Sequence, residues 1–135
     1  MALVAWNNSY SVGVKAIDGQ HTVLFDILNE LHDAMMKGQA STITGPLLKK
    51  LVKYTQEHFA AEEKMLEAAR YAGLTEHRAK HVELIKQVQE YVAKHDRGEI
   101  TVNLHLMNFL RDWLSNHIMK VDKEYGPWLN QHGVA

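Results

Sequence analysis

Apolar side chains recur three and four residues apart in four stretches of the chain, the spacing that gathers them on one face of an α-helix. The first stripe runs Ile17, His21, Leu24, Leu28, Leu31, Met35 and ends at Lys37-Gly38, with Asp18 as its expected N-cap. The second runs Leu47, Leu51, Tyr54 or Thr55, His58, Glu62, Met65; Thr44 with Pro46 marks its expected start and Gly73 its end. Thr75 is the expected cap of the third, His77, His81, Leu84, Val88, Tyr91, His95, which stops before Asp96-Arg97-Gly98. Thr101 opens the fourth, Met107, Leu110, Leu114, His117, Val121, and Gly126-Pro127 is expected to close it. Each segment is roughly 20 residues, or about 30 Å of helix. Short connections between helices of equal length predict an all-α, up-down-up-down antiparallel four-helix bundle. An irregular arm over about residues 1–17 precedes it, and Trp128 to Ala135 reads as a short tail.

Composition narrows the class. At 135 residues the chain is expected to form a single domain, residues 1–135. Fifteen Lys and Arg against sixteen Asp and Glu leave a formal charge of -1, so no basic surplus is available to bind nucleic acid. No apolar stretch approaches the ~18 residues of an integral membrane segment, and the start MALVAWNNSY lacks the features of a secretion signal. A soluble, cytoplasmic protein is expected. The absence of cysteine excludes disulfides, thiolate zinc sites, iron-sulfur clusters and cysteine nucleophiles, so any metal must be held by nitrogen and oxygen.

The nine histidines are the unusual feature. His58 and Glu62 are four apart, as are His77 and His81; four residues turn a helix by about 400°, so each pair shares a face. His21, His58, Glu62, His77, His81 and His117 all lie in the apolar stripes, and a buried carboxylate needs a partner. Chain direction adds a second constraint. His21 near the start of the first helix, His58 and Glu62 late in the second, His77 and His81 early in the third, and His117 and Asp122 late in the fourth fall at one end of an up-down-up-down bundle. Five imidazoles and two carboxylates exceed what one octahedral ion takes while keeping an open position, so two ions sharing carboxylates fit better. A sulfur-free set suits iron or manganese, with zinc less suited to so many donors. Asp122 strains this reading. Five residues from His117 is about 140° out of alignment on an ideal helix, so it can join only if the helix ends there, widens locally or admits it from an adjacent face.

His21, His58-x-x-x-Glu62, His77-x-x-x-His81 and His117-x-x-x-x-Asp122 together resemble the complete ligand signature of the hemerythrin family, in its single-domain bacterial form. The five-residue spacing is itself part of that signature. The resemblance covers the chain from the arm containing Trp6 to the end of the fourth helix. It implies a non-haem, oxo- or hydroxo-bridged pair of iron ions that binds dioxygen reversibly. His77, His81 and His117 would hold one iron and His21 and His58 the other, where dioxygen enters, with Glu62 and Asp122 bridging.

Phe59, Trp113, Leu114 and Ile118 are candidates for a dry oxygen pocket, Leu114 being best placed to face the bound gas. Glu63, Asp26 and Asp112 are candidates to orient imidazole N–H groups. His32, His95, His105 and His132 match no motif position and are expected at the surface or rim. The expected function is carriage, storage or buffering of dioxygen rather than catalysis, the chain being read as one domain without an output module. Oxygen or redox sensing through a partner, and di-iron oxidase or peroxidase chemistry, are the alternatives. The Glu-x-x-His pairs of ferritin-like di-iron enzymes are absent from the sequence.

Overall fold

A computed structural model describes residues 4–38, 41–99 and 104–135, with residues 41–43 described in backbone only. The four stripes become α1 (Lys15–Met36), α2 (Ser41–Ala68), α3 (Leu74–Asp96) and α4 (Leu104–Asn116). A widened π-helical turn, His117–Asp122, continues α4 directly into α5 (Lys123–Gln131). α1 packs against α2 and α4, and α2 against α3, as an antiparallel bundle; no strand occurs among the described residues. The expected opener of the fourth helix, Thr101, lies outside the described residues.

The helix boundaries differ from the sequence reading at several ends. α1 begins at Lys15 with Val14 at the cap position. Asp18 sits inside the first turn and ties down the arm instead, accepting hydrogen bonds from the Ser11 hydroxyl at 2.6 Å and the Val12 amide at 2.9 Å. α2 starts at Ser41, so Thr44 and Pro46 lie within it; a proline there removes only one bond near the end of a 28-residue helix. α2 ends at Ala68 rather than Gly73. The chain reverses at Arg70, a non-glycine residue at φ 55°, where the Tyr71 amide bonds back to the Leu66 carbonyl at 3.0 Å. Gly73, not Thr75, precedes α3. Gly126 and Pro127 do not close the last helix and Trp128 does not begin a tail, because α5 runs through all three. Gly126 is required by a close approach: a Cβ there would lie 2.2 Å from the Val12 carbonyl oxygen.

Burial divides the interior into two apolar clusters. The larger contains Leu24, Leu28 and Leu31 of α1, Leu51 and Phe59 of α2, Leu84 and Val88 of α3, and Leu110, Leu114 and Ile118 of the fourth rod. The arm covers its flank, with Trp6 and Tyr10 packed around Phe25 and Val4 paired through both backbone groups to Asn29. The smaller cluster closes the other end with Val12, Val14, Ile17, Leu66, Ala69, Tyr125 and Leu129.

Candidate metal centre

Between the two clusters α1, α2, α3 and the π-helical turn contribute polar side chains. His21 lies between Ile17 and Leu24, His58 and Glu62 between Leu51 and Leu66, His77 and His81 between Leu74 and Leu84, and His117 and Asp122 between Leu114 and Tyr125. The most exposed of the seven, His117, has 5% of its surface accessible. The two oxygens of each carboxylate face opposite ways. Glu62 Oε2 lies 3.1 Å from His58 Nε2 and 3.8 Å from His21 Nε2, while its Oε1 contacts His77 Nε2 and lies 3.2 Å from His81 Nε2. Asp122 Oδ2 lies 3.1 Å from His21 Nε2, and its Oδ1 is 2.8 Å from His117 Nε2 and 3.2 Å from His77 Nε2.

Two groups of potential ligands result. Glu62, His77, His81, His117 and Asp122 bring one donor atom each within 4.8 Å of one another, and so do His21, His58, Glu62 and Asp122. The carboxylates belong to both groups. Nε2 of His21, His58, His81 and His117, Oε2 of Glu62 and both oxygens of Asp122 are buried without a hydrogen bond. Lone pairs that converge on common points while making no bond to each other fit cations at those points, since leaving so many buried polar atoms unpaired is costly. Nine-fold donor capacity without sulfur suits two oxygen- and nitrogen-loving ions such as iron.

Without a cation, electrostatics must be settled among the side chains. Burial alone would lower the His21 and His77 imidazoles, but the Asp122 and Glu62 carboxylates placed directly against them outweigh it and hold both at about 9. Burial prevails at His58, which is lowered. Glu62 and Asp122 are lowered in turn: burial pushes them up, and the surrounding imidazoles pull them further down.

The five-residue spacing has a direct structural cause. In the π-helical turn His117–Asp122 the helix carries more residues per turn, so positions five apart align and Asp122 comes onto the face of His117. Outer contacts then orient the rings. Nδ1–H of His58 donates to Gln20 Oε1 at 2.6 Å, leaving Nε2 to face inward, and Glu63 Oε2 takes the corresponding place 3.2 Å from His81 Nδ1. Arg78 holds Glu63 from the other side, Nε to Oε1 at 3.1 Å. Asp26 and Asp112 are exposed and reach no imidazole of the cluster. Phe59 stacks on His81 at 3.6 Å between centroids, and Trp113 stacks on His117 at 4.7 Å.

One turn above the polar layer, an apolar cavity of about 30 Å³ is bounded by Leu24, Leu28, Leu84, Leu110, Trp113 and Leu114 among others. Phe59 and Ile118 are buried nearby but do not line it. Of the remaining histidines, His105 and His132 are exposed, His32 is half-buried, and the His95 ring packs against Gly45. Sequence reasoning missed Gln20 and Tyr125. Gln20 precedes a histidine in no recognisable motif, but Tyr125 follows Asp122 by three residues on the same stripe, and that spacing was a usable signal. Its hydroxyl is buried without a hydrogen bond, and burial beside Asp122 and Glu62 pushes the phenol well above its usual range.

Comparison with known proteins gives a consistent result. The family model described as hemerythrin HHE cation binding domain matches residues 12–129. The bacteriohemerythrin of Methylococcus capsulatus is 40% identical over 131 residues, covering 96% of this chain and 99% of the relative. The myohemerythrin of Riftia pachyptila is 29% identical, covering 89% and 88% of the two chains. A crystal structure of a wild-type hemerythrin superposes with a TM-score of 0.91 at 38% identity, over 95% of this chain and 98% of the other.

Proposed function

Because the chain belongs to the hemerythrin family and binds dioxygen at a di-iron centre, we propose that it carries, stores or buffers the gas as a single bundle domain. His77, His81 and His117 would hold one iron and His21 and His58 the other, with Glu62 and Asp122 shared between the two. The observation that carries this reading is the shared membership of the two carboxylates in both donor groups. The group with fewer protein donors would leave its iron a position for an exogenous ligand. When bound, the iron pair supplies the electrons that make dioxygen binding strong and reversible.

The remaining work falls to the chain. Leu114 and Trp113, with the leucines of the cavity, keep water from the oxygen site and give the diatomic gas a place to dwell. That cavity has the size of a diatomic gas and not of an organic co-substrate. The near-neutral charge favours no nucleic-acid partner. No helix among the described residues is long and apolar enough to cross a membrane, and a cysteine-free chain is at home in the reducing cytoplasm, where we place it. Iron analysis of the purified protein, with visible spectra under alternating air and inert gas, tests the proposal. Two irons per chain and a spectrum that cycles without net oxygen consumption are expected; steady consumption with a reductant would favour an oxidase.

A further inference from the structure

A file of oxidisable rings leaves the metal centre on the side away from the oxygen cavity. Tyr125 is fully buried, and its ring lies 5.4 Å from that of His77. Tyr71 follows at 6.3 Å, edge-on at 82°, and Trp128 at 5.9 Å from Tyr71. Tyr71 and Trp128 are both half-buried, so the file ends at solvent, where Trp128 stacks on the exposed His132 at 4.8 Å. The Trp128 indole is anchored by its N–H donating to the Ala69 carbonyl at 2.8 Å. All separations lie within the range of direct aromatic contact. Electron tunnelling weakens exponentially with distance, so three short steps outrun one long one.

We propose that Tyr125, Tyr71 and Trp128 form a relay that exports single oxidising equivalents from the metal centre to the surface, protecting the ligands from hydrogen peroxide. The proposal rests on the di-iron reading. Hydrogen peroxide needs two electrons and two protons to break its O–O bond and become two waters. Where the iron pair would hold only one reducing electron, Tyr125 supplies the second together with its phenolic proton, and the other proton of the two waters comes from solvent. Tyr71 then donates an electron to Tyr125, which regains one proton as Tyr71 releases its own to solvent, so no net proton is gained or lost in this step. Trp128 reduces Tyr71, which takes a proton back from solvent, and a thiol or ascorbate-class reductant in solution finally reduces Trp128. The net electrons are one from iron and one from the external reductant. Trp113 also touches a ligand ring, but it lies in the cavity wall, where a radical would damage the oxygen site.

The test mixes iron-loaded protein, poised with one reducing electron per iron pair, with one equivalent of hydrogen peroxide and no other reductant. Radicals are read by freeze-quench electron paramagnetic resonance and oxidised residues by peptide mass spectrometry. A tyrosine radical giving way to a tryptophan radical, with lasting oxidation at Trp128, is expected. In Tyr71→Phe the Trp128 oxidation is lost and the tyrosine radical persists, while iron content and the reversible oxygen spectrum are unchanged. Equal Trp128 oxidation in native protein and Tyr71→Phe would mean attack from solution and overturn the relay. So would oxidation at Trp113 in place of Trp128, or a native sample with neither radical nor oxidised ring. A sample that takes up no iron overturns the di-iron reading itself, whereas intact iron and oxygen binding without the radical sequence overturns the relay alone.

Discussion

The His58 ring donates its Nδ1–H to the side-chain oxygen of Gln20 across 2.6 Å, and this bond between α1 and α2 decides which nitrogen faces the centre. A neutral amide orients His58, whereas a carboxylate, Glu63, orients His81. Outer partners of this kind typically contribute about 10–100-fold in metal affinity. Gln20→Ala is therefore expected to weaken iron binding by about that factor with little change in helicity. A competition titration against a calibrated chelator measures it, and an unchanged affinity would mean that packing alone fixes the ring.

Glu62→Ala removes a carboxylate that serves both donor groups. Fewer than two irons per chain and loss of the reversible oxygen spectrum are expected. Retention of two irons with normal oxygen uptake would remove Glu62 from the bridge.

Leu114→Ala enlarges the cavity beside Trp113 and admits water to the oxygen site. Irreversible oxidation of the oxygen-loaded protein should accelerate, together with a stability loss of about 2–5 kcal/mol from the cavity itself. Autoxidation followed at fixed temperature separates the two effects: an unchanged rate in a destabilised variant would show that Leu114 packs the core without guarding the centre.

Iron loading should release protons at pH 7. In the metal-free chain His21 and His77 hold protons up to about 9, and Nε2 must be bare to ligate. An indicator dye in weak buffer should register the release, and a loading reaction that leaves pH unchanged would contradict it. The same groups set the metal-free stability. Raised imidazoles contribute fully below their ordinary value of 6.5, and the contribution falls as pH rises through about 9. The lowered carboxylates Glu62 and Asp122 contribute above their ordinary values of 4.5 and 3.8, and lose that contribution as pH falls further. Because the lowered His58 costs stability as pH falls below 6.5, denaturation midpoints of the metal-free protein should peak near 6.5 and decline on either side.

Gly126→Ala drives a methyl group into the Val12 carbonyl. The arm must shift, at a cost of about 1–3 kcal/mol, and thermal unfolding should register it. An unaltered midpoint would mean that the arm yields freely.

Much of the architecture could be read from residue order alone because a bundle has few degrees of freedom. The stripe phase fixed which face of each segment turned inward, and alternating direction fixed which ends met; His21 and His77 could thus be brought together from fifty-odd residues apart. Segment ends were less legible because capping residues are judged by local preference, and tertiary contacts override it. Asp18 had a better partner in Ser11 and Val12 than in its own helix, and Arg70 adopts a conformation usually left to glycine. Gly126-Pro127 failed as a stop signal for a related reason: the glycine answers the approach of the arm, and the proline removes a single amide from a rod that runs on through it to Gln131. At the site, Gln20 was illegible because its role depends on the distance between two helices, which no spacing within one helix encodes.

The widened turn at His117–Asp122 also has a consequence for anyone rebuilding this scaffold. One surplus residue in that turn rotates everything downstream, and Tyr125 and Leu129 reach the lower cluster in the resulting phase. A designer who grafted the donors onto a straight idealised rod would either misdirect the aspartate or turn the closing plug outward. The irregularity must be transplanted along with the chemistry.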